Sequence, residues 1–317
     1  MQGLTLSNGE LQLRDDLPRP TAGPEEAVVR VTLAGVCSTD LELVRGYHDF
    51  NGVLGHEFVG VVEGCADEKW LGKRVVGTIN FGCRQCAECR ANGPEHCTQR
   101  TVLGIINQDG IFAEYAMLPI ANLLEVPDSV SDEAAVFTEP LAAALRVKEQ
   151  VLVHPDSRIA VVGPGRLGLL IGQVLALSGA NVTMFGRRQG SMEFAHSLGL
   201  AAAPVEDGED NGFDVAVEAT GNEAGLGHAM RLVRPQGTLV MKSTYAGAPT
   251  VDMSSLVVDE VTLVGSRCGP FAPALRLLDQ GQVSVLPMIE GEYPLREGIS
   301  ALEHAARPGV LKILIRP

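Results

Sequence analysis

Three glycines constrain this chain more than any other feature: Gly163, Gly165 and Gly168, in the run RIAVVGPGRLG from Arg158 to Gly168. The apolar stretch Ile159 to Val162 leads into them, and Leu169, Leu170, Ile171, Val174 and Leu175 follow at helical spacing. The pattern predicts a strand, a tight turn and a helix, with the turn spaced G-x-G-x-x-G. In that arrangement the first glycine permits the turn, the second lets a pyrophosphate approach the backbone, and the third lets helix and strand pack closely. The helix N-terminus then offers its free N–H groups to the anion. Among 36 glycines a bare match would carry little, but strand and helix flank it here. A dinucleotide bound in mid-chain leaves the chemistry to the flanking segments.

The chain has 317 residues, enough for two domains with full cores, and 45% apolar with 20% charged residues is the composition of a globular protein. A net charge of −14 repels nucleic acid and anionic membrane surfaces. The first residues, MQGLTLSNGELQLRDD, carry no basic leader or apolar signal core, and no apolar run is long enough to span a bilayer. The expected location is the cytoplasm. Seven cysteines in such a chain point to metal or catalytic thiols rather than to a disulfide framework.

Met1 to Val62 reads as short alternating strands, such as Ala27 to Leu33, broken by Pro18, Pro20, Gly23-Pro24 and Gly35. Within this antiparallel region lie Cys37, in GVCSTD, and His56-Glu57, in VLGHEFVGVV. Thiolate and imidazole are preferred zinc ligands. A buried free cysteine and a structural histidine are the competing reading. Glu139, in FTEPLAAAL, adds a carboxylate if it folds back onto the same place, and Pro140 suits a helix start there. Cys83, Cys86, Cys89 and Cys97 form C-x2-C-x2-C-x7-C. Such spacing lets four sulfurs converge on one ion as a closed structural zinc site, with iron–sulfur ligation as the rival. A nucleic-acid-binding zinc module is disfavoured by the acidic chain. His96 is read as a neighbour of Cys97, and Cys65 and Cys268 as packing residues.

After the glycine turn, strands at Asn181–Phe185, Phe213–Glu218, Gly237–Met241 and Val261–Val264 alternate with helices near Met192–Leu198 and Ala224–Leu232. Alternation of this kind predicts a parallel, doubly wound sheet. An acidic residue after the second strand would hold the ribose diol of NAD, but the chain reads Gly186-Arg187-Arg188 there. Room plus two guanidinium groups suits a 2′-phosphate, so NADP(H) is expected over NAD(H). Solvated surface arginines are the alternative. Beyond Gly269-Pro270 come a helix over Ala272–Gln280, another over Leu295–Ala306 and a strand over Val310–Ile315, too little for an independent domain.

In their order along the chain, GVCSTD, GHEFVG, the four-cysteine lobe, TEPLA, GPGRLG and VEATG resemble the zinc-dependent medium-chain alcohol and polyol dehydrogenases, and Glu139 in an EPLA context looks like the sorbitol, glucose and threonine dehydrogenase branch. The resemblance implies an α/β protein. Residues 1–145 would form a GroES-like β-rich catalytic domain with a zinc lobe at 83–97, 146–268 a Rossmann domain with a doubly wound parallel sheet, and 269–317 the segment completing the catalytic domain. It also implies a catalytic zinc on Cys37, His56 and Glu139, with Glu57 as a further ligand or an orienting group, and a structural zinc on the four cysteines. Thr39 matches the hydroxyl that takes the substrate proton, whereas Glu42 stands where many relatives end that relay on histidine. Arg166, Leu167, Ala219, Thr220, Gly221, Ser266 and Arg267 join the glycines, Arg187 and Arg188 along the coenzyme's path. Asn80 and Glu114 resemble positions that hold sugar hydroxyls. The implied activity is hydride transfer between NADP(H) and an alcohol or carbonyl compound, a polyol or aldose by preference, or else a simple secondary or amino alcohol. A reductase-like relative or an NADP-binding sensor, each keeping only the structural zinc, would be the other readings. The family's habit implies a homo-oligomer, dimer or tetramer, with no nucleic-acid or membrane partner.

Overall fold

The computed structural model describes residues 1–245 and 247–317, which divide into two compact units. One comprises residues 1–139 with 278–280 and 285–317, the other residues 140–277 with 281–284. The first boundary therefore falls at the start of the helix Thr138–Gln150 rather than at 145/146, and the second unit runs past Cys268.

The first unit is built on a seven-stranded sheet centred on the long strand Glu26–Gly35. That strand pairs antiparallel with Glu57–Cys65, with Tyr115–Pro119 and, at its far end, with the last strand Lys312–Arg316. Its alternation of valine and leucine with polar residues, EAVVRVTLAG, puts Val29, Val31 and Leu33 into the core. The chain's last residues thus become core residues: Ile313, Leu314 and Ile315 are fully buried. Val36 N donates to Ile313 O at 2.9 Å, which extends the pairing to the residue before Cys37.

The second unit holds a six-stranded parallel sheet. Across it run Ala201–Pro204, Asn181–Gly186, Arg158–Val162, Phe213–Glu218, Val233–Met241 and Thr262–Gly265. Numbered within the unit this is the order 3-2-1-4-5-6 of dinucleotide-binding sheets, with its switch point between Arg158–Val162 and Phe213–Glu218. Central strands such as Ile159 to Val162 are buried on both faces, which is why they read as continuous apolar runs. The helix Arg166–Ala176 packs close because Gly172 has no side chain: a Cβ there would stand 2.5 Å from Met184 Sδ. The short third strand, Ala201–Pro204, carries no apolar signature beyond alanines and is invisible to periodicity.

Candidate functional site

Cys37, His56 and Glu57 offer ligand atoms within 4.8 Å of one another. Cys37 stands at the N-terminus of the helix Ser38–Val44, and Asp40, three residues on, accepts a hydrogen bond from Cys37 N at 2.8 Å. Asp40 is fully buried and its other oxygen lies 3.3 Å from His56 Nδ1. Neither of those two atoms has a hydrogen-bond partner, so the contact is an ion-pair approach whose angle is not closed. Burial would lower the His56 pKa, but the Asp40 carboxylate and the Cys37 thiol outweigh it and hold the imidazole well above the ordinary histidine range. A buried imidazole and a half-buried thiol backed by a carboxylate form a donor set of the kind zinc takes, with Asp40 as the group that orients the histidine.

Glu57 and Lys312 form a buried ion pair, 1% and 2% exposed. The Lys312 ammonium also donates to Val36 O at 3.3 Å and lies 5.4 Å over the Phe137 ring. It therefore grips the chain on both sides of the ligands: the carbonyl before Cys37 and the side chain after His56. Glu139 is half-buried in the first turn of the helix Thr138–Gln150 and is not in the 4.8 Å set. Thr39 Oγ1 lies 3.7 Å from Cys37 Sγ, and Glu42 pairs with Arg45 on the surface.

The four lobe cysteines converge as their spacing predicts. Their sulfurs stand 3.6 Å (Cys97 to Cys83), 4.0 Å (Cys83 to Cys89) and 4.0 Å (Cys86 to Cys97) apart. A tetrahedron with zinc–sulfur bonds of about 2.3 Å has edges of roughly 3.8 Å, so the set matches one ion. In a four-iron, four-sulfur cluster each thiolate binds a different iron and the sulfurs would be spread further. Backbone N–H groups of Gln85 and Cys86 lower the Cys83 thiol to about 6, whereas burial raises Cys89 to about 12.

In the second unit the glycine turn has its expected form. Gly163 sits at φ +107°, where a Cβ would meet Thr220 Cγ2 at 2.8 Å. A Cβ on Gly168 would stand 2.0 Å from Gly163 O, so only glycine allows that crossing. A Cβ on Gly165, which begins the helix Arg166–Ala176, would meet nothing within 4 Å. That open cradle at a helix N-terminus suits a pyrophosphate. Arg166 and Leu167 form the first turn behind it. Ala219 N donates to Val162 O at 2.9 Å, placing Ala219, Thr220 and Gly221 beside the glycine turn. Their loop is held by Glu218, fully buried, which accepts from Thr220 N, Thr220 Oγ1 and Gly221 N at 2.5, 2.6 and 3.0 Å and from Tyr245 Oη at 2.7 Å. Lys242 does the same for the next loop, donating to Ser266 Oγ at 3.3 Å and to Arg267 O. Arg187 and Arg188 are exposed at the end of the strand Asn181–Gly186.

The residues expected to touch a sugar have parts in the fold. Asn80 is buried, and its backbone carbonyl accepts from Asn122 Nδ2 at 2.9 Å. Glu114 accepts from Gln2 N at 2.7 Å. Asp40, Lys312, Lys242 and the Glu218–Tyr245 pair escaped the sequence reading. The spacing of Asp40 from Cys37 is that of a capping box, a signal that was available.

Two family models match the chain, the alcohol dehydrogenase GroES-like domain over residues 23–128 and the zinc-binding dehydrogenase domain over residues 167–280. D-arabinitol dehydrogenase 1 of Uromyces fabae is 28% identical, covering 94% of this chain and 92% of its own. Among solved structures, a zinc-binding dehydrogenase from Sinorhizobium meliloti bound to NADP superposes with a TM-score of 0.91 at 27% identity, covering 100% of this chain and 99% of its own. A short chain alcohol dehydrogenase from E. coli CFT073 complexed with NADH reaches a TM-score of 0.91 at 26% identity, with coverage of 100% and 99%. No helix among the described residues is long and apolar enough to cross a membrane.

Proposed function

The chain belongs to the zinc-dependent medium-chain dehydrogenase family, and we propose that it is an alcohol/polyol dehydrogenase transferring hydride between NADP(H) and a polyol or aldose. The observation that carries the chemistry is the half-buried Cys37 beside the buried His56, backed by Asp40. When bound, zinc would supply Lewis acidity toward the substrate oxygen and the nicotinamide coenzyme a hydride acceptor. Cys37, His56 and a carboxylate would hold the metal. Because Lys312 already engages one Glu57 oxygen, Glu139 is the third ligand in this reading and Glu57 the charge that supports the site. Asp40 fixes the His56 ring. Thr39 Oγ1 would take the substrate's hydroxyl proton while giving its own toward the coenzyme's ribose hydroxyl, and Glu42 stands where many relatives end that relay on histidine. The four lobe cysteines would hold a second, structural zinc.

NADP is preferred because Gly186 offers no acceptor to a ribose diol and the exposed Arg187 can donate to a 2′-phosphate, with Arg188 beside it. A charged hydrogen bond of about 1.5–3 kcal/mol corresponds to roughly ten- to a hundredfold in affinity. A polyol or aldose is favoured by the low aromatic content, 4%, which does not furnish a large aromatic pocket. The relative acting on D-arabinitol supports the same class. No disulfide joins the cysteines among the described residues, which suits a reducing compartment, and the cytoplasm is the proposed location. The edge strand Thr262–Gly265 exposes Leu263 (48%) near Val257 (74%) and Val258 (80%), and this edge is the proposed contact in a homo-oligomer.

Titration of both coenzymes against the unmodified protein, followed by a screen of polyols, aldoses and secondary alcohols, tests the proposal. Equal affinity for the two coenzymes, or tighter NAD, would reduce the arginines to a solvated edge. Turnover confined to simple secondary alcohols would move the substrate class.

A further inference from the structure

The missing acidic residue at the end of the strand Asn181–Gly186 has a steric cause in this chain. A Cβ at Gly186 would stand 2.7 Å from Pro164 Cγ and 3.0 Å from Pro164 Cδ, with Met192 Cγ at 3.6 Å. The backbone at Gly186 is not in the left-handed region, so its conformation alone would accept any residue. The obstacle is the proline ring.

Pro164 is buried and cannot turn aside as a flexible side chain would. It is the middle residue of a tight turn in which Gly165 N donates to Gly163 O at 2.8 Å. Gly163 N in turn donates to Phe185 O at 2.9 Å, which fastens the turn to the residue preceding Gly186. Its φ is fixed by the ring. Relieving a 2.7 Å contact therefore means displacing the glycine turn that cradles the pyrophosphate.

We infer that Pro164 is a specificity-determining residue: its ring fills the space a side chain at position 186 needs, so the glycine turn itself excludes a carboxylate that could hold a ribose diol. Pro164 and Gly186 act as one unit. This rests on the reading that the coenzyme's ribose ends at Gly186 and Arg187. It adds that a change at position 186 has no useful effect unless position 164 changes as well. Alanine at 164 lacks both of the atoms nearest the Gly186 Cβ.

Two cycles test it in the full-length protein. In the first, melting temperatures are compared for the unmodified protein, Pro164→Ala, Gly186→Ala and the double variant, all without coenzyme. Gly186→Ala alone should melt about 3–9 °C lower, the effect of an overpacked contact, and in the Pro164→Ala background it should cost little. In the second, NAD affinity is measured by titration for Gly186→Asp and for Pro164→Ala/Gly186→Asp. The double variant should bind NAD at least tenfold more tightly than the single one. Additive melting shifts, or equal NAD affinity in the two Asp variants, would overturn the inference. Failure of the underlying coenzyme reading has a different signature: Arg187→Ala would leave NADP affinity unchanged while the thermal cycle still showed coupling.

Discussion

Lys312→Met isolates what the last strand contributes to the metal-binding region. The ammonium is 2% exposed and pairs with Glu57, itself 1% exposed, so the substitution leaves a carboxylate buried without its counter-charge. Breaking a buried pair from one side costs about 3–5 kcal/mol, against a total stability of roughly 5–15 kcal/mol for a domain. Lys312→Met should therefore be marginal in the metal-free state. Adding Glu57→Gln removes the orphaned charge, so the double variant should recover most of the loss. Zinc changes the balance in a definite direction, because a dication on Cys37 and His56 supplies positive charge next to Glu57. The destabilisation should be smaller in zinc-loaded protein than in protein stripped by chelator. Urea unfolding followed by the fluorescence of Trp70, the chain's single tryptophan, reports on the unit that contains both residues. A cost below about 1 kcal/mol, or losses that simply add in the double variant, would show that the pair behaves as a solvated surface bridge and would refute the argument.

Three further outcomes follow from the geometry. Cys37→Ser should abolish hydride transfer with little change in melting temperature, whereas Cys86→Ser should lower stability because a closed four-thiolate site contributes folding free energy; full activity in Cys37→Ser would remove the catalytic-zinc assignment. Asp40→Asn keeps every ligand yet should weaken zinc retention about 10–100-fold in chelator competition, through loss of the carboxylate that orients His56; unchanged retention would leave Asp40 a purely structural cap. Burial first, and then the Glu218 carboxylate, push the Tyr245 phenol well above its ordinary value. The folded state thus keeps this proton longer than the unfolded state does. The corresponding stability is intact below about pH 10, the unfolded value, and is lost as pH rises beyond it. Tyr245→Phe should accordingly flatten the fall of melting temperature above pH 10, and an identical alkaline slope would contradict the assignment.

The second unit was the more legible of the two. Its central strands are buried on both faces, so Ile159 to Val162 and Val215 to Val217 stand out as apolar runs, and the turn between strand and helix needs glycine at positions where a Cβ would collide with backbone. Where burial is partial the signal faded. Ala201–Pro204 pairs with Asn181–Gly186 through its backbone, and its alanines and proline show no strand pattern. The four-cysteine lobe was legible for a different reason: one residue type at close spacing must converge, and the sulfurs stand 3.6–4.0 Å apart.

What the sequence concealed are contacts between residues far apart in the chain whose partners have no common spacing. Glu57 and Lys312 are separated by 255 positions, and Gly186 meets Pro164 across two elements. Each still left a local trace. Lys312 sits in LKILIR, a strand whose other residues from 313 to 315 are fully buried aliphatics, and a lysine there must either reach water or find a charge. Read as a demand rather than an irregularity, it predicts a buried carboxylate elsewhere in the chain. His56-Glu57, in the otherwise apolar VLGHEFVGVV, presents the matching demand for a cation. Two unmet charges of opposite sign, each in a core strand of the same sheet, are most simply satisfied by one another, and the antiparallel pairing of Glu26–Gly35 with both strands brings them together. The same logic explains why the segment after residue 285 belongs to the first unit. It adds two strands to that sheet, and with Lys312 it supplies the cation that Glu57 needs.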